Sequence, residues 1–249
     1  QTFTPWFAAR PVVDGPRGPV LLWPDSFTNH LAPQVGQAAV AVLEAAGYRV
    51  VLPDKPVCCG LTWISTGQLN AAKKRLTASL TALAPHLAAG TPIVGLEPSC
   101  TAVLRREVHE LLPGDERAHL AAQSTRTFAE FVVASGWQPP QLDAHALVQT
   151  HCHQHAVLGF DADRALMAKA GIAADIPDSG CCGLAGNFGF ERGHYEVSQQ
   201  VGERVLLPAV RAAAPDTAVV ADGFSCRTQI AQGTERTALH LAELLARGL

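Results

Sequence analysis

Val57-Cys58-Cys59-Gly60-Leu61 and Gly180-Cys181-Cys182-Gly183-Leu184 carry the same Cys-Cys-Gly-Leu core, and what surrounds them repeats as well. Upstream of the first lies a strand candidate, Val20–Trp23, then a helical pattern over Val35–Ala46 stopped by Gly47, then a second strand, Arg49–Leu52. Downstream come a helix near Leu69–Leu83, the strand Pro92–Leu96, then Glu97-Pro98-Ser99-Cys100, and helix again over Ala102–Leu111. The second half offers the same order. Ala146–Gln149 reads as a strand leading to His151-Cys152-His153, and a helix near Asp163–Lys169 follows, with Asp161 as its cap and Gly171 as its stop. Ala174–Ile176, a helix near Tyr195–Val210, the strand Ala218–Ala221, Gly223-Phe224-Ser225-Cys226 and a last helix over roughly Thr234–Ala246 complete it. Gly47 to Cys58 is 11 positions and Gly171 to Cys181 is 10, while Cys59 to Cys100 is 41 and Cys182 to Cys226 is 44. Such agreement in order and spacing indicates duplication. Strands alternating with helices of this length give an α/β fold, two tandem Rossmann-like repeats with parallel sheets and a pseudo-two-fold relation. The expected domains are residues 1–134 and 146–249, joined by a linker at 135–145 that contains Pro139-Pro140.

Composition narrows the function. With 48% hydrophobic residues in 249, the chain can bury one large core or two ordinary ones. A formal charge of −3 supplies no basic field, which argues against a nucleic-acid partner. No apolar run is long enough to span a bilayer, and no signal-peptide pattern opens the chain. The one methionine, Met167, is internal, so a processed piece of a longer polypeptide is expected. Seven cysteines cannot all pair, and two adjacent pairs suit a secreted scaffold poorly. A reduced, cytoplasmic setting with metal or redox chemistry is the reading.

Each cysteine group sits just past an expected strand, at the carboxyl edge where open α/β sheets bind ligands. Cys152, the pair Cys181–Cys182 and Cys226 can therefore converge from three loops. Helix N-termini following those loops favour thiolate, the metal-binding species. Four sulfurs suit a tetrahedral zinc or a 4Fe–4S-type cluster. Adjacent side chains are expected to point apart, which favours a cluster whose irons each take one sulfur, with zinc as the alternative. The first half offers only Cys58, Cys59 and Cys100. The position matching Cys152 falls near Ser26, so this set is incomplete unless Asp25, a histidine or the other half supplies a ligand.

The double Cys-Cys-Gly pattern, each copy followed by a lone cysteine after a later strand, resembles the cysteine-rich (CCG) domain family. That family includes the iron–sulfur subunit of glycolate oxidase, the lactate-utilisation proteins and a cysteine-rich subunit of heterodisulfide reductase. The wording is similar, more closely, to the C-terminal region of FAD- and iron–sulfur-containing dehydrogenases of the D-lactate and D-2-hydroxyglutarate type. Leu22 to Phe27, Gly95 to Cys100, His151 to Gln154, Ser179 to Glu191 and Val220 to Thr228 carry this likeness. It implies a flavin-linked oxidation of a 2-hydroxy acid, with electrons leaving through iron–sulfur centres. The FAD domain and a ferredoxin-like iron–sulfur domain would lie upstream as partners, and the isolated chain would be inactive. Peripheral membrane association stays open. Cys100 and Cys226 each lack a second cysteine three residues on, a departure from the heterodisulfide reductase pattern that argues against a five-cysteine cluster.

Of the histidines around Cys152, His153 is the best ligand or supporting candidate, with His151 and His155 read as solvated or structural because alternation separates their faces. Gly183, Gly186 and Gly189 do not form a dinucleotide fingerprint and read as turn glycines. Glu97, Glu191 and His194 read as caps or surface groups rather than acid–base catalysts. Val197, Val201, Val205 and Leu206 form an apolar stripe expected to pack in the core.

Overall fold

The computed structural model describes residues 1–249. Apolar runs too short for helices found both sheets. Pro19–Leu22 (β1), buried at Val20, Leu21 and Leu22, is one of the two inner strands of a four-stranded sheet. Arg49–Val51 (β2), Ile93–Gly95 (β3) and Thr125–Thr127 (β4) join it in the order β2-β1-β3-β4, all parallel. Ala144–Val148 (β5) is the middle strand of the second sheet, flanked by Ile172–Asp175 (β6) and Ala218–Val220 (β7) in the order β6-β5-β7. The chain forms two units, Gln1–Trp137 with Leu249, and Gln138–Gly248. Each has its own core cluster, and the cysteines are part of it: Cys59 and Cys100 pack with Leu21, Trp23 and Leu76, and Cys182 and Cys226 with Leu147, Leu184 and Leu207.

The two sheets share a register as well as an order. Leu21 pairs with Ile93 and Leu147 with Val219, an offset of 126 positions at both partners. Cys100 and Cys226 are separated by the same offset, and it sets Asp25 opposite His151 and Ser26 opposite Cys152. The duplication reaches further than the sequence indicated. β4 leads into the helix Phe128–Ala134, capped by Thr127 in a capping box with Glu130. In the second unit Leu239 bridges β7 in parallel at Val220, and the helix Leu241–Ala246 follows, capped by His240 in a capping box with Glu243. A single bridge replaces the fourth strand.

Several helix bounds differ from expectation. The segment Tyr195–Val210 is two helices, Tyr195–Glu203 and Leu206–Ala212, because Pro208 has no N–H and its ring excludes a helical carbonyl at Arg204. Cys226 lies inside the helix Phe224–Gly233, and the last helix is confined to Leu241–Ala246 instead of beginning near Thr234. Asp161 is in the first turn of its helix, Asp161–Lys169, and Phe160 holds the cap position. The apolar stripe is only partly core: Leu206 is buried, but Val197 is exposed.

Candidate metal centre

Both Cys-Cys-Gly turns have the same local chemistry. Gly60 and Gly183 adopt left-handed backbone, with φ of +77° and +96°, which glycine enters without a Cβ clash. Their amides donate back to the first cysteine of each pair, Gly60 N–H to Cys58 Sγ at 3.5 Å and Gly183 N–H to Cys181 Sγ at 3.3 Å. Gly183 is doubly required, since a Cβ there would stand 2.1 Å from the Ser198 carbonyl oxygen. The turn is thereby pressed onto the helix that follows it.

In the second unit three segments, each following a strand of one parallel sheet, carry the four thiols: Cys152 after β5, Cys181 and Cys182 after β6, and Cys226 in the first turn of the helix after β7. Cys182 and Cys226 are buried in one core cluster, and none of the four is in a disulfide. One member ionises far more readily than the rest. Hydrogen bonds from Cys152 and Cys182, with the Gly183 amide, hold Cys181 far below the ordinary thiol range, at about 2. The Cys181 thiolate then accepts from Cys152 and Cys182, whose own pKa values are driven up by those bonds and by burial.

The histidines sit differently from expectation. Residues 152 and 153 already begin a helical turn, so His151 and His153 fall on one side, stacked with ring centroids 5.2 Å apart. Each Nδ1 lies 3.8 Å from Cys152 Sγ, and one donor atom from each of the three residues lies within 4.8 Å of the others. His151 is the buried member; burial, then His153, lowers its pKa to about 4, so it is a neutral imidazole at pH 7. Sequence reading passed it over, although its place directly before a cysteine at a strand end marked it. A Cβ at Gly223 would meet its ring at 2.2 Å, so Gly223 is what admits His151. His155 is exposed, and so is Glu191, which pairs with the half-buried His194 at 3.2 Å.

The first unit gathers a different set. Cys59 and Cys100 are buried with their sulfurs 2.9 Å apart. Hydrogen bonding to Cys59 and burial push Cys58 up, and the Cys100 bond raises Cys59. For Cys100 the Cys59 bond acts downward, but burial and the Asp25 and Glu97 carboxylates outweigh it. Asp25 and Glu97 are themselves buried, and both cap helices, Asp25 accepting from Thr28 N–H at 2.9 Å and Glu97 from Ser99. Burial and the neighbouring Glu97, opposed by the Thr28 bonds, raise the Asp25 pKa to about 6. Ser26, at the place of Cys152, is exposed.

The model of the cysteine-rich domain, CCG, matches residues 25–105 and again 161–231, one copy in each unit and more than half of the chain together. The chain belongs to the CCG family. Among curated proteins, it is 28% identical over 229 residues to one subunit of the anaerobic glycerol-3-phosphate dehydrogenase of Escherichia coli K12, covering 90% of this chain and 57% of that protein. It is 25% identical to the D-2-hydroxyglutarate dehydrogenase of Pseudomonas putida KT2440, covering 91% of this chain but 22% of the enzyme. Lactate utilization protein A of an Exiguobacterium species is 28% identical and is covered over 98% of its length. This CCG protein therefore spans little more than half of the first relative and about a fifth of the second. A cysteine-rich redox module related to dehydrogenase components is the common ground, and metal or iron–sulfur binding is the chemistry that its clustered thiols fit. No helix is long and apolar enough to cross a membrane.

Proposed function

We propose that this chain is the iron–sulfur-binding module of a flavin-linked 2-hydroxy acid dehydrogenase. Cys152, Cys181, Cys182 and Cys226 hold a 4Fe–4S-type cluster, and His153 lies against Cys152. The observation that carries this is the placement of four free thiols on three segments that each follow a strand of the second sheet. When bound, the cluster supplies one-electron transfer. The chain's own residues do the rest: Gly183 folds the turn, its amide donates to Cys181 Sγ, and Leu184 and Leu207 pack against the sulfurs and limit water. The hydride acceptor, FAD, belongs to another domain, with a ferredoxin-like domain as further partner, since this chain carries no dinucleotide fingerprint. The repeats are residues 1–134 and 146–249 about a linker at 135–145, and seven free cysteines suit a reducing cytoplasm.

A zinc-binding assembly module is the second reading, and the His151, Cys152 and His153 group, with one donor atom from each within 4.8 Å of the others, favours it. Sulfurs around one tetrahedral zinc stand about 3.8 Å apart, given a Zn–S bond of ~2.3 Å. Composition of the anaerobically purified chain separates the two. A brown protein with iron and acid-labile sulfide, lost together in Cys182→Ser, is expected. A colourless chain with stoichiometric zinc on the same cysteines overturns the cluster.

A further inference from the structure

Phe188, Phe190, Tyr195 and Val197, close together in the second unit, all stand exposed. Phe188 is partly covered, since its ring stacks on His194 at 4.3 Å. Phe190 and Tyr195 have no such partner. They are 61% and 64% exposed, and they border a cavity of about 400 Å³. Unpaired aromatic rings around a concavity mark a binding surface. The floor of the cavity is the loop that leaves the Cys-Cys-Gly turn. Leu184, which lines it, packs in the same core cluster as Cys182 and Cys226. Gly189 keeps the floor low, because a Cβ there would stand 2.5 Å from Ser198 Oγ and 2.7 Å from Leu184 Cδ1. The polar edge is neutral. Ser198 Oγ accepts from the buried Gln229 amide at 3.4 Å and keeps its own hydrogen to donate. The amides of Gln199 and Gln232 also line the cavity and bond to nothing else in the chain. No acidic or basic side chain lines it. A 2-hydroxy acid is a carboxylate at pH 7, and nothing here would neutralise one. What fits is uncharged, flat enough to lie against two rings, and able to accept from amide and hydroxyl donors at its edge.

We propose that this cavity binds a small, uncharged, planar electron acceptor, a ring system with oxygen or nitrogen acceptor atoms on its edge. Phe190 and Tyr195 hold the ring faces, and Gln199, Gln232 and Ser198 donate to the edge atoms. Leu184 is the shared wall between the ring and the thiols of Cys182 and Cys226. Two electrons arrive singly through the metal centre, each replaced from the reduced flavin, and two protons come from water. The ring leaves with its two acceptor atoms as O–H or N–H. The electron supply rests on the iron–sulfur reading, whereas the binding does not.

The test is equilibrium dialysis of the full chain, under nitrogen, against 2,3-dimethyl-1,4-naphthoquinone. Methyl groups block its reactive ring carbons, so the free thiols do not add to it. One molecule per chain is expected. Phe190→Ala and Tyr195→Ala should each weaken binding at least ~10-fold, with unchanged melting midpoints because both side chains are exposed. The control, 2,3-dimethylnaphthalene, has the same shape without edge oxygens and should bind at least ~10-fold more weakly. Gln199→Leu with Gln232→Leu should erase that preference and leave the hydrocarbon's affinity as it was. Measured with and without metal, the binding stands even where a missing cluster would sink the proposed function. A chain with no saturable site overturns the assignment. So does an affinity unmoved by both aromatic variants, equal affinity for quinone and hydrocarbon, or tighter binding of adenosine than of the quinone.

Discussion

At single residues, the two Cys-Cys-Gly glycines separate conformational from steric demand. Gly60 has positive φ, but its nearest Cβ neighbour, the Ala72 carbonyl oxygen, would be an ordinary 3.6 Å away. Gly60→Ala should therefore cost about 1 kcal/mol, the penalty for left-handed backbone. Gly183→Ala adds a 2.1 Å collision with backbone and should cost several-fold more, read as a larger drop in denaturation midpoint. Equal losses would contradict the close approach. Asp25 gives a pH-dependence in the metal-free chain. Its pKa is raised from 3.8 to about 6, so folding disfavours the ionised form. Its stabilising contribution is complete below about pH 4 and is lost as pH rises through about 6. Metal-free Asp25→Asn should thus gain up to about 3 kcal/mol over wild type at about pH 7.5 and converge with it at about pH 4, checked by urea titration at both. The clustering of Cys58, Cys59, Cys100, Cys152, Cys181, Cys182 and Cys226 was legible because cysteine is rare and its spacing repeats. His151 and the Asp25–Glu97 pair were not, because their significance comes from burial and from the size of the residue at position 223, which spacing does not encode.

Among elements, strands were easier to read than helix limits. β1, β2, β3, β5, β6 and β7 all lie within a residue or two of apolar runs bounded by Gly or Pro. β4 escaped notice because Thr125-Arg126-Thr127 has no apolar residue; its burial comes from the fold around it. Its partner in the second repeat, Leu239, is one bridged residue and leaves even less trace. Both lead into capped helices, and that is where the fourth position of each sheet is secured. Thr127 accepts from Glu130 N–H while Glu130 accepts from Thr127 N–H and also pairs with Arg105 at 2.7 Å. Thr127→Ala should cost about 1 kcal/mol by losing the cap alone. Glu130→Ala removes the return bond and the Arg105 pair together, so it should cost more than Thr127→Ala in a thermal melt. The half-exposed ion pair by itself adds little.

For the whole molecule, the proposed function turns on where a metal would stand relative to a flavin. Each unit has its own parallel sheet and its own sulfur-containing core cluster. None of these residues offers a hydride acceptor, so the isolated chain should oxidise no 2-hydroxy acid. Joined to a flavin domain as proposed, the module would act in one of two places, and the half-reactions distinguish them. A cluster downstream of the flavin only drains electrons. Cys182→Ser should then leave the rate of flavin reduction by substrate unchanged in stopped-flow, and slow reoxidation by the external acceptor by at least ~100-fold, about 2.7 kcal/mol of barrier or more. If the flavin-reduction step itself collapses while the fold is intact, the thiol set takes part in binding or activating the substrate. The neutral, buried His151 beside Cys152 would then be the group to examine next, because a substrate carboxylate held by a metal leaves its hydroxyl proton to be taken by a nearby base. The unaltered first step is the expected result, since Cys182 and Cys226 are buried among Leu147, Leu207 and Ile230, surroundings that suit electron passage better than proton abstraction.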